Sequence, residues 1–163
     1  MTQLPTSIKP SSANLFESFQ HKDVEAVSAL ITRCLTEVNS RDYSTNQIAH
    51  MLPGFAADKL ETRFAGTYTV VGKKADLIVA VGVLAGDEIR SVFVAPNMHG
   101  QGIGTALMDH LEAAANRNGI KVVTLYSSVT SHEFYLGRSY QELEVVNHPV
   151  GGRMYKMQKC VQR

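Results

Sequence analysis

Residues 92–107 read VFVAPNMHGQGIGTAL: a strand, a short polar loop, three alternating glycines and the opening turn of a helix. Val92, Phe93 and Val94 are β-branched or aromatic and suit a buried strand. Pro96 ends it, because proline lacks an N–H and biases the residue before it away from helix. Gly100, Gly102 and Gly104 alternate with Gln101 and Ile103, and a helical pattern follows at once. A turn of this kind leaves several backbone N–H groups free at the positive end of a helix. Such a terminus can hold an anion, and glycines let a phosphate approach the backbone closely. The same residues also suit a tight strand-to-helix turn with no ligand.

The flanks define the architecture. Upstream, residues 67–71 and 77–84 form two apolar strands joined around Gly72-Lys73-Lys74. A turn at Ala85-Gly86-Asp87 leads to a third strand, residues 88–94. Downstream, Ile103, Ala106, Leu107, His110, Leu111 and Ala114 recur at helical spacing, and Gly119 suits the helix end. Residues 121–126 (KVVTLY) form the next strand. A helix between these two strands makes a crossover and hence a parallel pair. Thr130 or Ser131 caps a short helix through Phe134 and Tyr135. Residues 140–146 and 153–161, around a turn at 148–152, form a closing antiparallel pair.

Residues 1–14 are polar and read as a flexible leader, with residues 15–163 as one domain. Leu15, Phe16 and Phe19 give a short strand signal, and His21-Lys22-Asp23 opens a helix. Val24, Val27, Leu30, Ile31, Cys34 and Leu35 share one face of it, so Cys34 reads as a core thiol. Ser44 or Thr45 caps a second helix through Ile48, Met51 and Leu52. Pro53-Gly54 stops or kinks it, and residues 55–64 hold a further helical turn.

Apolar residues make up 44% and charged residues 19%, an ordinary globular balance for a chain of 163 residues. A net charge of +1 gives no reason to expect a nucleic-acid partner. Two cysteines match no metal spacing, so no metal is expected, and a reducing cytoplasm is the simplest compartment. No signal peptide is visible, and no apolar run nears the roughly 20 residues of a membrane span.

Two phosphate-loop patterns fit poorly. A P-loop needs Lys before Ser or Thr at the end of the glycine run, and Gly104 is followed by Thr105-Ala106. A dinucleotide fingerprint needs G-x-G-x-x-G, and the spacing here is G-x-G-x-G. The segment His99-Gly100-Gln101-Gly102-Ile103-Gly104, after Val94 and Pro96, resembles the pyrophosphate loop of the GCN5-related N-acetyltransferases, the GNAT family. That loop reads Arg or Gln, two residues, Gly, one residue, Gly or Ala; His99 departs from it. Phe134-Tyr135 followed by Tyr140 resembles the family segment F-Y-x-x-x-G-F/Y, with Ser139 in place of Gly. The ending R-M-Y-K-M-Q-K is similar to the family's last strand. The resemblance covers residues 15–160 or so.

It implies an α/β fold: a mixed, mostly antiparallel sheet with helices on both faces. It implies acetyl-CoA as co-substrate, its pyrophosphate held without a metal by the backbone of Gly100, Gln101, Gly102, Ile103, Gly104 and Thr105. An N–H near Phe93 or Val94 would polarise the thioester carbonyl. Ser128 sits where relatives bond CoA, and the His99 ring either adds a donor or is a plain loop residue. The acceptor is a primary amine of a small molecule, a peptide or a protein, with polyamines, aminoglycosides, amino acids, peptide N-termini and protein lysines all open, and it must be neutral when it attacks; a lysine-like amine has a reference pKa of about 10.4. Glu88 is the candidate general base, or a solvent-facing carboxylate. Tyr135 is the candidate general acid for the leaving thiolate, or a packed aromatic. Direct attack in a ternary complex is expected, because neither cysteine lies near the motif in sequence. Arg41, Asp42 and Tyr43 fall where relatives form a wall of the acceptor site, or in a solvated loop. His132 lies close to Tyr135 in sequence and is placed to tune it. A homodimer through the last strands is compatible with the pattern. A non-catalytic acyl-CoA-binding domain stays open as the second reading.

Overall fold

The computed structural model describes residues 15–162, so the leader lies outside the described residues. Seven strands form one sheet: β1 (Phe16–Ser18), β2 (Tyr68–Lys74), β3 (Leu77–Ala85), β4 (Glu88–Val94), β5 (Val122–Ser128), β6 (Gln141–His148) and β7 (Gly152–Cys160). Their spatial order is β1-β2-β3-β4-β5-β7-β6. Among the described residues β4 and β5 alone pair parallel, and every other neighbour is antiparallel. The crossover between β4 and β5 is α4 (Ile103–Arg117), as the strand–helix–strand pattern requires.

Helices cover both faces. A Cβ at Gly82 of β3 would come within 2.9 Å of Leu111 and 3.0 Å of Leu107, so α4 lies tight on that face. Val81 and Val83 alternate with Gly82 and point to the other face. There α1 (Val24–Glu37) packs on β3 and β4, backed by α3 (Ala57–Phe64). The buried stripe of α1 is Val24, Val27, Leu30, Ile31, Cys34 and Leu35, the six residues its periodicity picks out. A capping box between Ser44 and Gln47 starts α2 (Thr45–Met51). Residues 55–64 hold more than one turn: α3 is an eight-residue helix that buries Leu60 and Phe64. Among the described residues no helix is long and apolar enough to cross a membrane.

The β2–β3 connection differs from the expectation. Gly72-Lys73-Lys74 is not the turn but part of β2, with a register shift at Gly72/Lys73. The turn is Ala75-Asp76, both left-handed at φ of 50° and 62°. Gly72 is needed for packing: a Cβ there would reach the Ala80 Cβ at 3.0 Å and the Phe16 ring at 3.1 Å.

Two irregularities of β4 shape the site. Phe93 pairs with Val81 and Arg90 with Val83, so β4 spends three residues where β3 spends two. The extra residue bulges the strand, and Ser91 takes φ of 50°. Beyond the bulge β4 leaves β5: the two pair only at Glu88↔Thr124 and Ile89↔Leu125. A gap therefore opens between the strands from Ser91 to Val94.

Candidate active site

Gly100 and Gly102 have φ of 78° and 80°, a conformation glycine adopts freely. A Cβ at either would meet nothing within 4 Å, so the space above them is open. Gly102 is the N-cap of the fifteen-residue α4. The helix's first bond runs from the Ala106 N–H to the Gly102 carbonyl at 3.0 Å. The N–H groups of residues 100–105 donate to no protein acceptor among the described residues. Free amides and the helix dipole thus converge on one open cradle. Gly104 backs onto Phe134, whose ring a Cβ there would approach to 3.4 Å.

The strand gap continues this cradle into a cavity of about 1100 Å³. The Ala95 N–H donates to the Val79 carbonyl at 2.8 Å. Main-chain groups alternate sides along an antiparallel pair, so Phe93 turns toward β3 while Val94 turns toward the gap. The Val94 carbonyl is occupied there: His99 Nε2–H donates to it at 2.8 Å and the Cys34 thiol at 3.2 Å. The His99 ring therefore braces the loop against β4. The Val94 N–H remains to face the gap.

Cys34 is a correction. It is sixty residues from Val94 in sequence, yet it lines the same cavity. Burial pushes its thiol up to about 12, so it is protonated at neutral pH and a poor nucleophile.

Tyr135, in α5 (His132–Gly137), lines the cavity as a buried residue. Its ring meets Phe134 and Tyr140 edge-on, with centroids 5.2 and 5.5 Å away. Its hydroxyl meets no protein partner among the described residues. Burial pushes the phenol well above the ordinary tyrosine range, so it keeps its proton at neutral pH. Ser128 lines the cavity but bonds Ser131, with the two hydroxyls 2.8 Å apart. Among the described residues the Thr130 hydroxyl is buried without a partner, in a residue that lines the same cavity. Gln101 accepts from Lys74 Nζ at 3.0 Å, at the outer edge of the loop.

Glu88 lines the far end of the cavity, where an Nη2–H of Arg90 donates to its Oε2 at 3.2 Å. Of the residues expected at the acceptor wall, Arg41 and Asp42 are exposed and off the cavity. Tyr43 is buried at it, but its hydroxyl donates to the Arg153 carbonyl and accepts from the Val129 N–H, at 2.8 and 2.9 Å. It ties the α1–α2 connection to the opposite side of the gap. His132 does not approach Tyr135 in the expected way: it stacks on Tyr155 and pairs with Glu142 at 2.9 Å. The cavity is lined instead by Phe55 and Arg63 from the α2–α3 region and by His50 and His148, whose rings lie 6.0 Å apart. Their sequence neighbourhoods carry no motif, and only the fold assembles them.

A family model described as an acetyltransferase (GNAT) domain matches residues 39–161. The chain belongs to the GNAT acetyltransferase family. Its fold matches the crystal structure of a GNAT N-acetyltransferase from Rhodopseudomonas palustris at TM-score 0.84 and 23% identity, over 89% of this chain and 94% of that one. The PaiA N-acetyltransferase of Thermoplasma acidophilum, solved with coenzyme A, matches at TM-score 0.72 and 15% identity, over 89% and 97% of the two chains. An uncharacterized N-acetyltransferase of Methanocaldococcus jannaschii is 39% identical over 62 residues, which span 36% of this chain and 27% of that protein. The mixed, mostly antiparallel α/β sheet of this GNAT protein is the expected one.

Proposed function

We propose that this GNAT protein transfers the acetyl group of acetyl-CoA to a primary amine by direct attack in a ternary complex. The observation that carries the reading is the continuity of cradle and gap. Open amides at residues 100–105 lead into an unpaired strand edge and then to Tyr135. The pyrophosphate fits the cradle because both left-handed glycines leave it empty of side chains.

An arm anchored at the loop runs back along β4, pairing with strand groups that β5 leaves free. The Val94 N–H faces that gap, and by the same alternation so does the Val92 N–H beside the bulge. These take the oxyanion role in preference to Phe93, whose groups turn to β3. The amine nitrogen bonds to the acetyl carbon as the C–S bond breaks. The proton lost from nitrogen balances the one the thiolate gains. Tyr135 suits that donation, since it holds its proton and has no competing partner. Glu88 stands four strand residues from Val92, roughly 13 Å along β4. It receives the amine's proton through water, and placement of the amine beside the thioester supplies much of the acceleration.

Calorimetric titration of acetyl-CoA tests the reading, with Gly102→Glu as control. Micromolar binding that the folded variant loses is the expected result. A folded parent that binds no acetyl-CoA removes both the transferase reading and that of an acyl-CoA-binding domain.

A further inference from the structure

The acceptor end of the cavity carries a charge that no ion pair among the described residues neutralises. Arg63, in the last turn of α3, lays its guanidinium over the Phe55 ring, 4.2 Å from the centroid. Phe55 meets Phe93 edge-on at 5.7 Å, which sets Arg63 beside the bulged part of β4. Arg63 and Arg90 also share a smaller cleft that reaches Ser91, the bulged residue. Glu88 is the sole carboxylate lining the main cavity among the described residues, and it is already taken by Arg90 at 3.1 Å. Arg63 forms no ion pair among the described residues. Burial and the neighbouring Arg90 both disfavour its charge, so an anion placed there is welcome.

We propose that the acceptor is an amine that also carries a carboxylate, an amino acid rather than a polyamine, and that Arg63 binds the carboxylate. The inference rests on the transferase reading above. Arg63 sits over the Phe55 ring and donates to no protein acceptor among the described residues, so a carboxylate can meet two of its N–H groups at once. Beside the bulge, that contact holds an amine near the Val92 end of the gap. Met51 and Phe55 offer apolar surface to the rest of the molecule. A polyamine or aminoglycoside would bring further positive charge to a site whose unpaired charge is already positive.

The test measures CoA release from acetyl-CoA with matched acceptors. L-methionine, L-phenylalanine and L-glutamate are each compared with their amides, and with 1,5-diaminopentane and spermidine. We expect kcat/KM for at least one amino acid to exceed that of its amide by about 10-fold or more. Arg63→Gln should raise KM for that amino acid by a similar factor and erase its advantage over the amide. Lys in place of Arg63 should restore part of the preference, because it returns the charge but not the fork. Equal or better turnover of amides or polyamines overturns the inference. So does acetyl-CoA binding without acetylation of any amino acid, which leaves the transferase reading standing. Absence of acetyl-CoA binding by the folded protein overturns the reading beneath it.

Discussion

Ser139 stands where the related motif has glycine, and its φ of 70° gives the reason for glycine there. A residue with a Cβ is strained in that region by roughly 1 kcal/mol. The turn still forms: the Ser139 N–H donates to the Leu136 carbonyl at 3.1 Å and the Tyr140 N–H to the Tyr135 carbonyl at 3.1 Å. The departure from the motif is therefore a cost in stability and leaves Tyr135 in place. Ser139→Gly should stabilise the protein by about 0.5–1 kcal/mol, read as a higher urea midpoint at constant m-value. An unchanged or lower midpoint would show that Ser139 makes a compensating contact. Tyr135→Phe should cut kcat by about 100-fold while the acetyl-CoA Kd stays nearly constant, because the ring's packing survives and only the proton is lost. Unaltered kcat would reduce Tyr135 to packing. At this scale the sequence is legible where a requirement is local. The alternating glycines announce the open turn before α4, and the aromatic pair announces α5. Cys34, Arg63 and Thr130 were not legible as site residues, because each owes its place to contacts made far along the chain.

Elements were read well where one face decides them. The stripe of α1 follows from period alone, while that of α4 also takes in Met108 and Ala115 and leaves Ala106 and His110 half-buried. Gly72 looks like turn punctuation, yet it is a glycine for close approach against Phe16, and the β2–β3 turn lies beyond it at Ala75-Asp76. Ala75 gave no hint of its left-handed turn. His110 shows how an apolar stripe absorbs a polar residue. It sits on the sheet side of α4, where its Nε2 and the Tyr68 hydroxyl are 2.9 Å apart and its ring lies 5.2 Å from Phe16. Burial lowers its pKa, so the unfolded chain takes up this proton at a higher pH than the folded protein does. The contribution is full above the unfolded value of about 6.5 and is lost as pH falls toward the depressed folded value. Denaturant midpoints should therefore drop between pH 7 and pH 5, and His110→Gln should flatten that part of the curve. A variant with the parent's slope would assign the pH dependence elsewhere.

At the scale of the molecule, the two halves of the sheet are joined sparsely. β4 and β5 share two paired positions, since the gap between them is the site itself. Other contacts must hold the halves in register, and Glu112 of α4 is the centre of one such set. Its carboxylate accepts from the Tyr140 hydroxyl at 2.7 Å, from Arg138 at 2.9 Å and from Lys159 of β7 at 3.2 Å. These partners lie just beyond α5 and on the far strands, so one side chain fastens α4 to the half that carries Tyr135. Glu112 and Arg138 are each 11% exposed. A pair so buried is costly to break from one side, because Arg138 keeps its desolvation with only the exposed Asp109 left to pair with it. Glu112→Ala should destabilise the protein by about 3 kcal/mol. Asp109 also meets Arg138, at 2.7 Å, but it is 66% exposed, so Asp109→Ala should cost under about 1 kcal/mol. If the two variants unfold at the same denaturant concentration, the network is a surface feature and the halves are held by apolar packing alone. If Glu112→Ala also weakens activity at temperatures where it stays folded, the fastening of α5 to α4 sets the place of Tyr135 in the gap. That second readout separates a contribution to folding from one to the geometry of the site.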